Sequence, residues 1–520
     1  MPKKSRVAAV IDIGSSEMRL HIAESGKSEA DMVSVRYLEK LIYPLSLGRD
    51  TFHAGKMKFE KADRACEVIR NFLQAARTYG VRQLRTIAGT AMREASNADY
   101  ILDQIKLKTG VEVTVVDDLE EKRQVYKLLS FYAKESLKKS AIVVYTGTGS
   151  IGISLFSKGR MPRTWNIRAG SLRMGELFGD KQEYVKDFYL LMEEYLASFT
   201  RKLRYELPEK IEHFVVSGTE IEVISKLVMN EAPSFETPLF DVPRDDFEKF
   251  YDSIKRKTTE KISTDYGIEI HKAETLLPAA CIYHDLISCT DAKAITATCM
   301  LPCDVYLFEM LYPKIFSSVE RHFDKCTVLS ARELAKKYDI DIEHGELVSE
   351  YGNMIFDKLK KHHGLGGRDK IFLTVASLLH DVGKSVNDLD HNIISYEIVR
   401  RLNLVGLTQS EQEIIALICR YHSGKSPDLE ELNYTILDFD TRVRVSKLTA
   451  MIRLADALDR SCVRVKFKSL DVKLSEHALN INVSTTENVN LEEWTFKEKS
   501  AFFEEVFGIE AVLKVKKLQG

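Results

Sequence analysis

The sequence predicts an α/β fold up to about residue 312, an all-α part over 313–465 and a small α/β tail over 466–520. Three observations carry that expectation. Apolar runs of strand length end in turns of glycine and hydroxyl residues at Val7–Ser16 and again at Ala141–Ser150. Beyond Leu311 the apolar residues recur at helical spacing. From Val463 onward basic and apolar residues alternate as they do in strands. A chain of 520 residues is too long for one core and should divide into three or four domains. The expected spans are 1–125, 126–312, 313–465 and 466–520, with no sequence repeat or long linker marking the joints.

Composition narrows the function classes. Apolar and charged fractions, 44% and 29%, are ordinary for a globular protein. A net charge of −2 gives no whole-chain case for nucleic acid or membrane, so a polyanion site must be a local feature. The eight cysteines (Cys66, Cys281, Cys289, Cys299, Cys303, Cys326, Cys419 and Cys462) contain no CxxC pair. With no signal peptide before them, reduced thiols in a cytoplasmic protein are expected. Cys299 and Cys303 could share a helix face, a weak metal signal. No apolar run is long enough to span a bilayer.

Taken in order, Val7–Ser16 is a strand that delivers Asp12 to a turn containing Gly14 and Ser15, and Glu17–Glu24 is its return strand. Small residues at such a tip let backbone N–H groups approach an anion. Glu17 opposes an anion there unless a metal or Arg19 offsets it. Thr86–Asn97 reads as strand, turn and helix start, with Arg93 available as a two-pronged oxyanion ligand. Val113–Arg123 runs from a strand through an acidic turn into a helix carrying Glu120 and Glu121. In the second half of the α/β part, Gly147, Thr148, Gly149 and Ser150 form a second glycine-hydroxyl tip. Ser217, Gly218 and Thr219 precede a helix whose N-terminus could receive an anion.

These motifs resemble the actin-like superfamily, with its ribonuclease H-like lobes, and within it the Ppx/GppA family of exopolyphosphatases and guanosine pentaphosphate phosphatases. Asp12-Ile-Gly14-Ser15 resembles the first phosphate motif, and Glu120-Glu121-Lys-Arg123 stands where the family has Glu-Glu-Ala-Arg. Ile167–Arg173, Ser217-Gly218-Thr219 and Leu277–Ala280 resemble later family segments. The resemblance implies two actin-like lobes, Glu121 as the base that activates water and Asp12 as a second catalytic group. It implies phosphate binding by Gly14, Ser15, Arg93, Gly147, Thr148, Gly149, Ser150, Ser217, Gly218 and Thr219. Departures are also visible. The family's Asp-Ile-Gly-Gly-Gly-Ser-Thr-Glu has Tyr145 in place of its Asp and Gly152 in place of its Glu, and the family's Gly-x-Arg-x-Gly is replaced near Met300–Val305.

The helical part carries a different chemistry. Ala376–Lys384 reads as a helix end presenting His380 and Asp381, followed by Lys384, which could neutralise a phosphoryl oxygen. His344 opens an upstream helix, His391 opens a downstream one, His422 ends another, and Asp456 lies in an apolar helical run where an unpartnered carboxylate would be costly. His362 and His363 read as a solvated helix end, and Leu329–Tyr338 as a short amphipathic helix. The set His344, His380, Asp381 and Asp456 resembles the metal ligands of HD phosphohydrolases, and His391 and His422 would make room for a second ion. Imidazole and carboxylate donors suit a divalent metal, with magnesium or manganese expected. In the tail, Arg460, Arg464, Lys466 and Lys468 could line a channel for an anionic chain.

The function implied is phosphate release from polyphosphate or a phosphorylated guanosine nucleotide by a cytoplasmic phosphoric anhydride hydrolase, as a homodimer without nucleic acid. Two alternatives stand beside it. One is metal-dependent hydrolysis in an HD domain beside a degenerate actin-like lobe. The other is a sensor that binds phosphate chains or nucleotides without turnover.

Overall fold

The computed structural model describes residues 6–26, 35–178, 188–234, 237–298, 300–402, 404–462 and 467–518. Cys299, Arg464 and Lys466 fall outside them. The chain divides into two compact units between Phe323 and Asp324.

The first unit holds two sheets. Strands β1 (Val7–Ile13), β2 (Glu17–Ser25), β3 (Val35–Pro44), β4 (Gln83–Ala88) and β5 (Thr114–Val115) lie in the order β3-β2-β1-β4-β5. The first three form an antiparallel meander, and β4 runs parallel to β1. The second sheet contains β6 (Ala141–Thr146), β7 (Ile151–Ser157), β8 (Arg160–Ile167), β9 (His213–Ser217), β10 (Leu239–Pro243) and β11 (Ala294–Thr298). Its order is β8-β7-β6-β9-β11-β10, again a meander flanked by parallel strands, with β10 as an antiparallel edge. The two sheets therefore repeat one topology that the amino-acid sequence does not repeat. The central strands β1 and β6 are covered on both faces, which is why both are almost wholly apolar instead of alternating. Parallel pairing also brings the carboxyl ends of β1 and β4, and of β6 and β9, to one side, where open α/β sheets bind ligands. The Asp118–Tyr132 helix crosses the 125/126 boundary expected from sequence.

The second unit is helical, closed by a three-stranded sheet. Asp341 caps the Ile342–Lys358 helix through its carboxylate, which accepts from the N–H of Glu343 and of His344 at 3.1 Å. The Gly367–Leu379 helix ends at His380, and a single 3-10 turn, Val382–Ser385, follows. The Gln409–Tyr421 helix begins with a Thr408/Glu411 capping box. Strands β12 (Ser469–Leu474) and β13 (Ala478–Thr485) form a hairpin, and the Asn490–Phe507 helix carries the chain to β14 (Glu510–Lys517), parallel to β13. One apolar cluster includes Ala331, Leu373, Leu454, Ile481 and Phe503, so the helices and the tail share a core.

Three local expectations are corrected. The segment 329–338 is no separate helix: its residues to Lys337 end a 25-residue helix that starts at Pro313. Ser330, which in the sequence reads as a helix-start signal, is an interior residue there rather than a cap. The tail helix, which the sequence alone places near Ser500, starts at Asn490. His363 is buried, its ring 4.3 Å from that of Phe356, and it accepts the Leu365 N–H at 2.8 Å. The turn at Gly364, in the left-handed region, folds the imidazole inward despite the neighbouring lysines.

Gly383 fixes the spacing between His380-Asp381 and the His391–Val399 helix. A Cβ there would lie 2.1 Å from the His391 carbonyl oxygen and 2.7 Å from the Ser395 nitrogen, both backbone atoms. Gly383→Ala should lower stability by about 1–3 kcal/mol, as overpacking does. Denaturant unfolding of the full chain checks this, with a lower midpoint expected for the variant.

Candidate functional site

A cleft of about 200 Å³ opens in the first unit, lined by residues of both sheets. β1 delivers Asp12, and the β1–β2 turn adds Gly14, Ser15 and Ser16. Gly89 and Thr90 follow β4, while Gly147 and Thr148 follow β6. Glu121 enters from the first turn of the Asp118–Tyr132 helix, which Asp117 caps by accepting the Glu120 N–H at 2.8 Å. A Cβ at Gly89 would lie 3.7 Å from one Glu121 oxygen, and a Cβ at Gly147 3.9 Å from the other. Glu121 thus sits between two glycine turns, one from each lobe.

Electrostatics set the character of this cleft. Burial raises the Glu121 carboxyl above its ordinary range, opposed by the Tyr145 hydroxyl, which donates to Oε1 at 2.6 Å. Asp12 is raised for the same reason, with Arg19 at 3.4 Å drawing it back down. Arg19 also pairs with Glu17 at 2.6 Å, so the glutamate beside the phosphate turn is offset within the chain. Glu220 and Glu222 are further lining carboxyls raised by burial. The cationic lining side chains are Arg19 and Lys272, beside His271. Ser16 Oγ is buried here without a hydrogen-bond partner, and His271 Nε2 lies 3.6 Å from a Glu269 oxygen.

Other expected phosphate ligands are placed differently. Arg93 donates to the Val116 carbonyl at 2.6 Å and to Thr90 Oγ1 at 2.9 Å, and does not line the cleft. Ser217 Oγ donates to the Met300 carbonyl. Gly218 has φ +154, and a Cβ there would lie 2.8 Å from the Thr146 carbonyl oxygen. Thr219, at the helix start, does line the cleft. Gly149 lies against Thr90, with a Cβ 2.5 Å from its methyl. Ser150 joins a buried network in which Lys122 Nζ reaches Asp118 at 2.7 Å, Ser150 at 2.9 Å and Asn166. Burial works against the Asp118 charge, but Lys122 holds that carboxyl down to about 2. The same lysine explains Gly152: a Cβ there would lie 2.5 Å from the Tyr126 hydroxyl and 2.6 Å from Lys122 Cδ. Sequence reading treats Gly152 as a loss and gives Lys122 no role, although the lysine stands where the family has alanine.

In the second unit all six expected metal ligands converge. His344, His380 and Asp381 present donor atoms within 4.8 Å of one another, and so do Asp381, His391 and His422. Asp381 belongs to both groups. His344 Nε2 lies 3.2 Å from Asp456 Oδ1, and His380 Nε2 lies 3.7 Å from it. The Nδ1 atoms of His380, His391 and His422 donate to backbone carbonyls three residues earlier, at 2.8, 2.8 and 2.6 Å. Those bonds turn each Nε2 toward Asp381, at 3.5, 3.6 and 3.6 Å, the orientation a ligating imidazole needs. His380 Nε2 is buried with no hydrogen-bond partner, and burial lowers His422 to about 4, so it stays a neutral donor. Burial opposes charge on Asp381, yet the surrounding imidazoles and Lys384 at 2.5 Å hold it well below the carboxylate range. The donor set fits a divalent ion. Asp459, which accepts from His344 Nδ1 at 2.8 Å, escapes the sequence reading. Its spacing of three residues from Asp456, one helical face, is the available signal. A third group, His21, Cys303 and Asp304, is buried in the first unit, where His21 Nδ1 and the Tyr37 hydroxyl bond Asp304 at 2.8 and 2.5 Å.

Two lobes of one topology with a carboxyl between their glycine turns define the actin-like phosphohydrolase class. Residues 27–304 match the profile of the Ppx/GppA phosphatase family, and residues 328–500 match that of Ppx/GppA phosphatase domain III. The chain belongs to the Ppx/GppA phosphatase family, and is an exopolyphosphatase-like hydrolase of phosphoric anhydrides. Among solved structures it is similar to an exopolyphosphatase from Cytophaga hutchinsonii, at 17% identity and TM-score 0.51 over 59% of this chain and 98% of that one. It is also similar to an exopolyphosphatase-like protein at 18% identity and TM-score 0.50, with the same coverage. Those likenesses bear on the fold. No helix among the described residues is long and apolar enough to cross a membrane.

Tyr145 opposes the rise that burial imposes on the Glu121 carboxyl, so removing its hydroxyl should raise that carboxyl further. As the general base proposed below, Glu121 would work only above its pKa. For Tyr145→Phe the acidic limb of kcat/KM for phosphate release should therefore move to higher pH, read from a pH–rate profile against the parent chain.

Proposed function

We propose that the cleft of the first unit releases orthophosphate from the end of an inorganic polyphosphate chain, with Glu121 as the general base. The observation carrying this reading is the partly buried Glu121 carboxyl between the Gly89 and Gly147 turns, tuned by Tyr145. In the reading, the backbone N–H groups of Ser15 and Thr148 hold phosphoryl oxygens, as turns of small residues can, while those of Gly14 and Gly147 close the two turns by donating to the carbonyls of Glu17 and Ser150. Arg19, on β2, offsets charge beside Asp12 and Glu17. Glu121 accepts a proton from water as oxygen attacks the terminal phosphorus, and the bridging oxygen leaves with the shortened chain. Asp12, restrained by Arg19, orients that water. Guanosine pentaphosphate as an alternative substrate, a homodimeric assembly and a cytoplasmic setting belong to the same proposal. The cysteines among the described residues are free thiols, which suits the last of these.

A second reading has its own observation. The six convergent ligands in the helical unit suit an HD-type domain holding one or two divalent ions, magnesium or manganese. When bound, such an ion lowers the pKa of a coordinated water and neutralises phosphoryl charge. In this reading His344, His380 and Asp456 hold one position, His391 and His422 the other, and Asp381 serves both. Lys384 would then face a phosphoryl oxygen.

Polyphosphate hydrolysis separates the two. Glu121→Gln should reduce orthophosphate release by about 10²–10⁴-fold, the usual contribution of a positioned base. His380→Ala should leave that release near the parent rate. The opposite pattern would assign the activity to the helical unit.

A further inference from the structure

The tail of the second unit packs its helix on the helix that carries Asp456. Glu492, fully buried, accepts from the Ser461 N–H at 3.1 Å and from its hydroxyl at 2.5 Å. Phe502 lies under the Arg453 guanidinium, 5.0 Å from it. Arg453 in turn donates to the carbonyls of Tyr421, Gly424 and Lys425, at 2.6, 3.1 and 2.7 Å, which holds the loop after His422. Between these anchors Lys499, seven residues after Glu492 and so on the same helical face, reaches Asp456 Oδ2. Its side chain is only 15% exposed.

We propose that Lys499 is a positioning residue for a divalent-cation site in the helical unit, so that the C-terminal tail completes that site. The proposal rests on the metal reading above. Asp456 has two oxygens with different duties: Lys499 takes Oδ2, while Oδ1 faces His344 Nε2 at 3.2 Å and His380 Nε2 at 3.7 Å. Without Lys499 a buried carboxylate oxygen would lose its partner, at a cost that favours rotation of the group. Rotation would carry Oδ1 away from the point it shares with the Nε2 atoms of His344 and His380. Lys499 therefore favours the cation by occupying the far oxygen, although its own charge opposes an incoming ion. Partners that orient a metal ligand in this way are typically worth about 10–100-fold in affinity.

The test is titration of the full-length chain with Mn²⁺, following free ion by electron paramagnetic resonance. The parent chain, Lys499→Met and Lys499→Arg are compared, each with its thermal midpoint in chelator. Lys499→Met should bind Mn²⁺ at least about tenfold more weakly, and Lys499→Arg should recover much of the loss. Should Lys499→Met not fold, Lys499→Gln takes its place and is expected to bind Mn²⁺ more weakly than the parent chain, with Lys499→Arg nearer the parent. Equal or tighter binding by the folded variants would overturn the role of Lys499 while leaving the metal reading in place. No binding by the parent chain would remove the metal reading, and this inference with it.

Discussion

A carboxyl group taken out of water must find a donor or a counter-charge, or else give up its ionisation, and both sites in this chain are organised by that demand. In the cleft of the first unit the donor to Glu121 is neutral, the Tyr145 hydroxyl. Burial raises Glu121 and the hydrogen bond restrains the rise, so the group is kept near the condition of a usable base. In the second unit the demand is met by charge. Lys384 and Lys499 pair with Asp381 and Asp456, and His344 lies between Asp456 and Asp459. The same physical cost thus leaves one carboxyl raised and the others held down.

The two departures in the second phosphate motif take on a different meaning in that light. Tyr145 stands where the family pattern has an aspartate, and its hydroxyl bonds the proposed base. Gly152 stands where the pattern has a glutamate, and the space is filled by Lys122 and Tyr126. Lys122 ties Asp118, one turn from Glu121, to Ser150 in the second glycine turn. The positions that lost acids therefore gained contacts that fix the geometry around Glu121. Family membership and this local rearrangement agree with a cleft that retains its class of chemistry with altered support.

Much of this was legible in the amino-acid sequence. Strands ending in small-residue turns placed Asp12, Gly14 and Gly147 at the cleft, because apolar runs and turn residues are local signals. The His-Asp doublet and its distant partners were legible for a similar reason: histidines at helix ends and an aspartate in an apolar run are conspicuous on chemical cost alone. What stayed hidden depended on tertiary neighbours. Arg93 looked like an oxyanion ligand, but a backbone carbonyl and Thr90 claim its guanidinium. His363 looked solvated beside lysines, but the turn at Gly364 folds it inward. Lys499 lies 43 residues from Asp456, and nothing in its own surroundings announces the pairing.

The most direct test of the account is a crystal structure of the Glu121→Gln chain with a short inorganic polyphosphate. The account predicts terminal phosphoryl oxygens against the Gly14–Ser15 and Gly147–Thr148 turns, with the end phosphorus facing the side-chain amide introduced at position 121. A phosphate chain bound instead beside Asp381, with the first cleft empty, would contradict it.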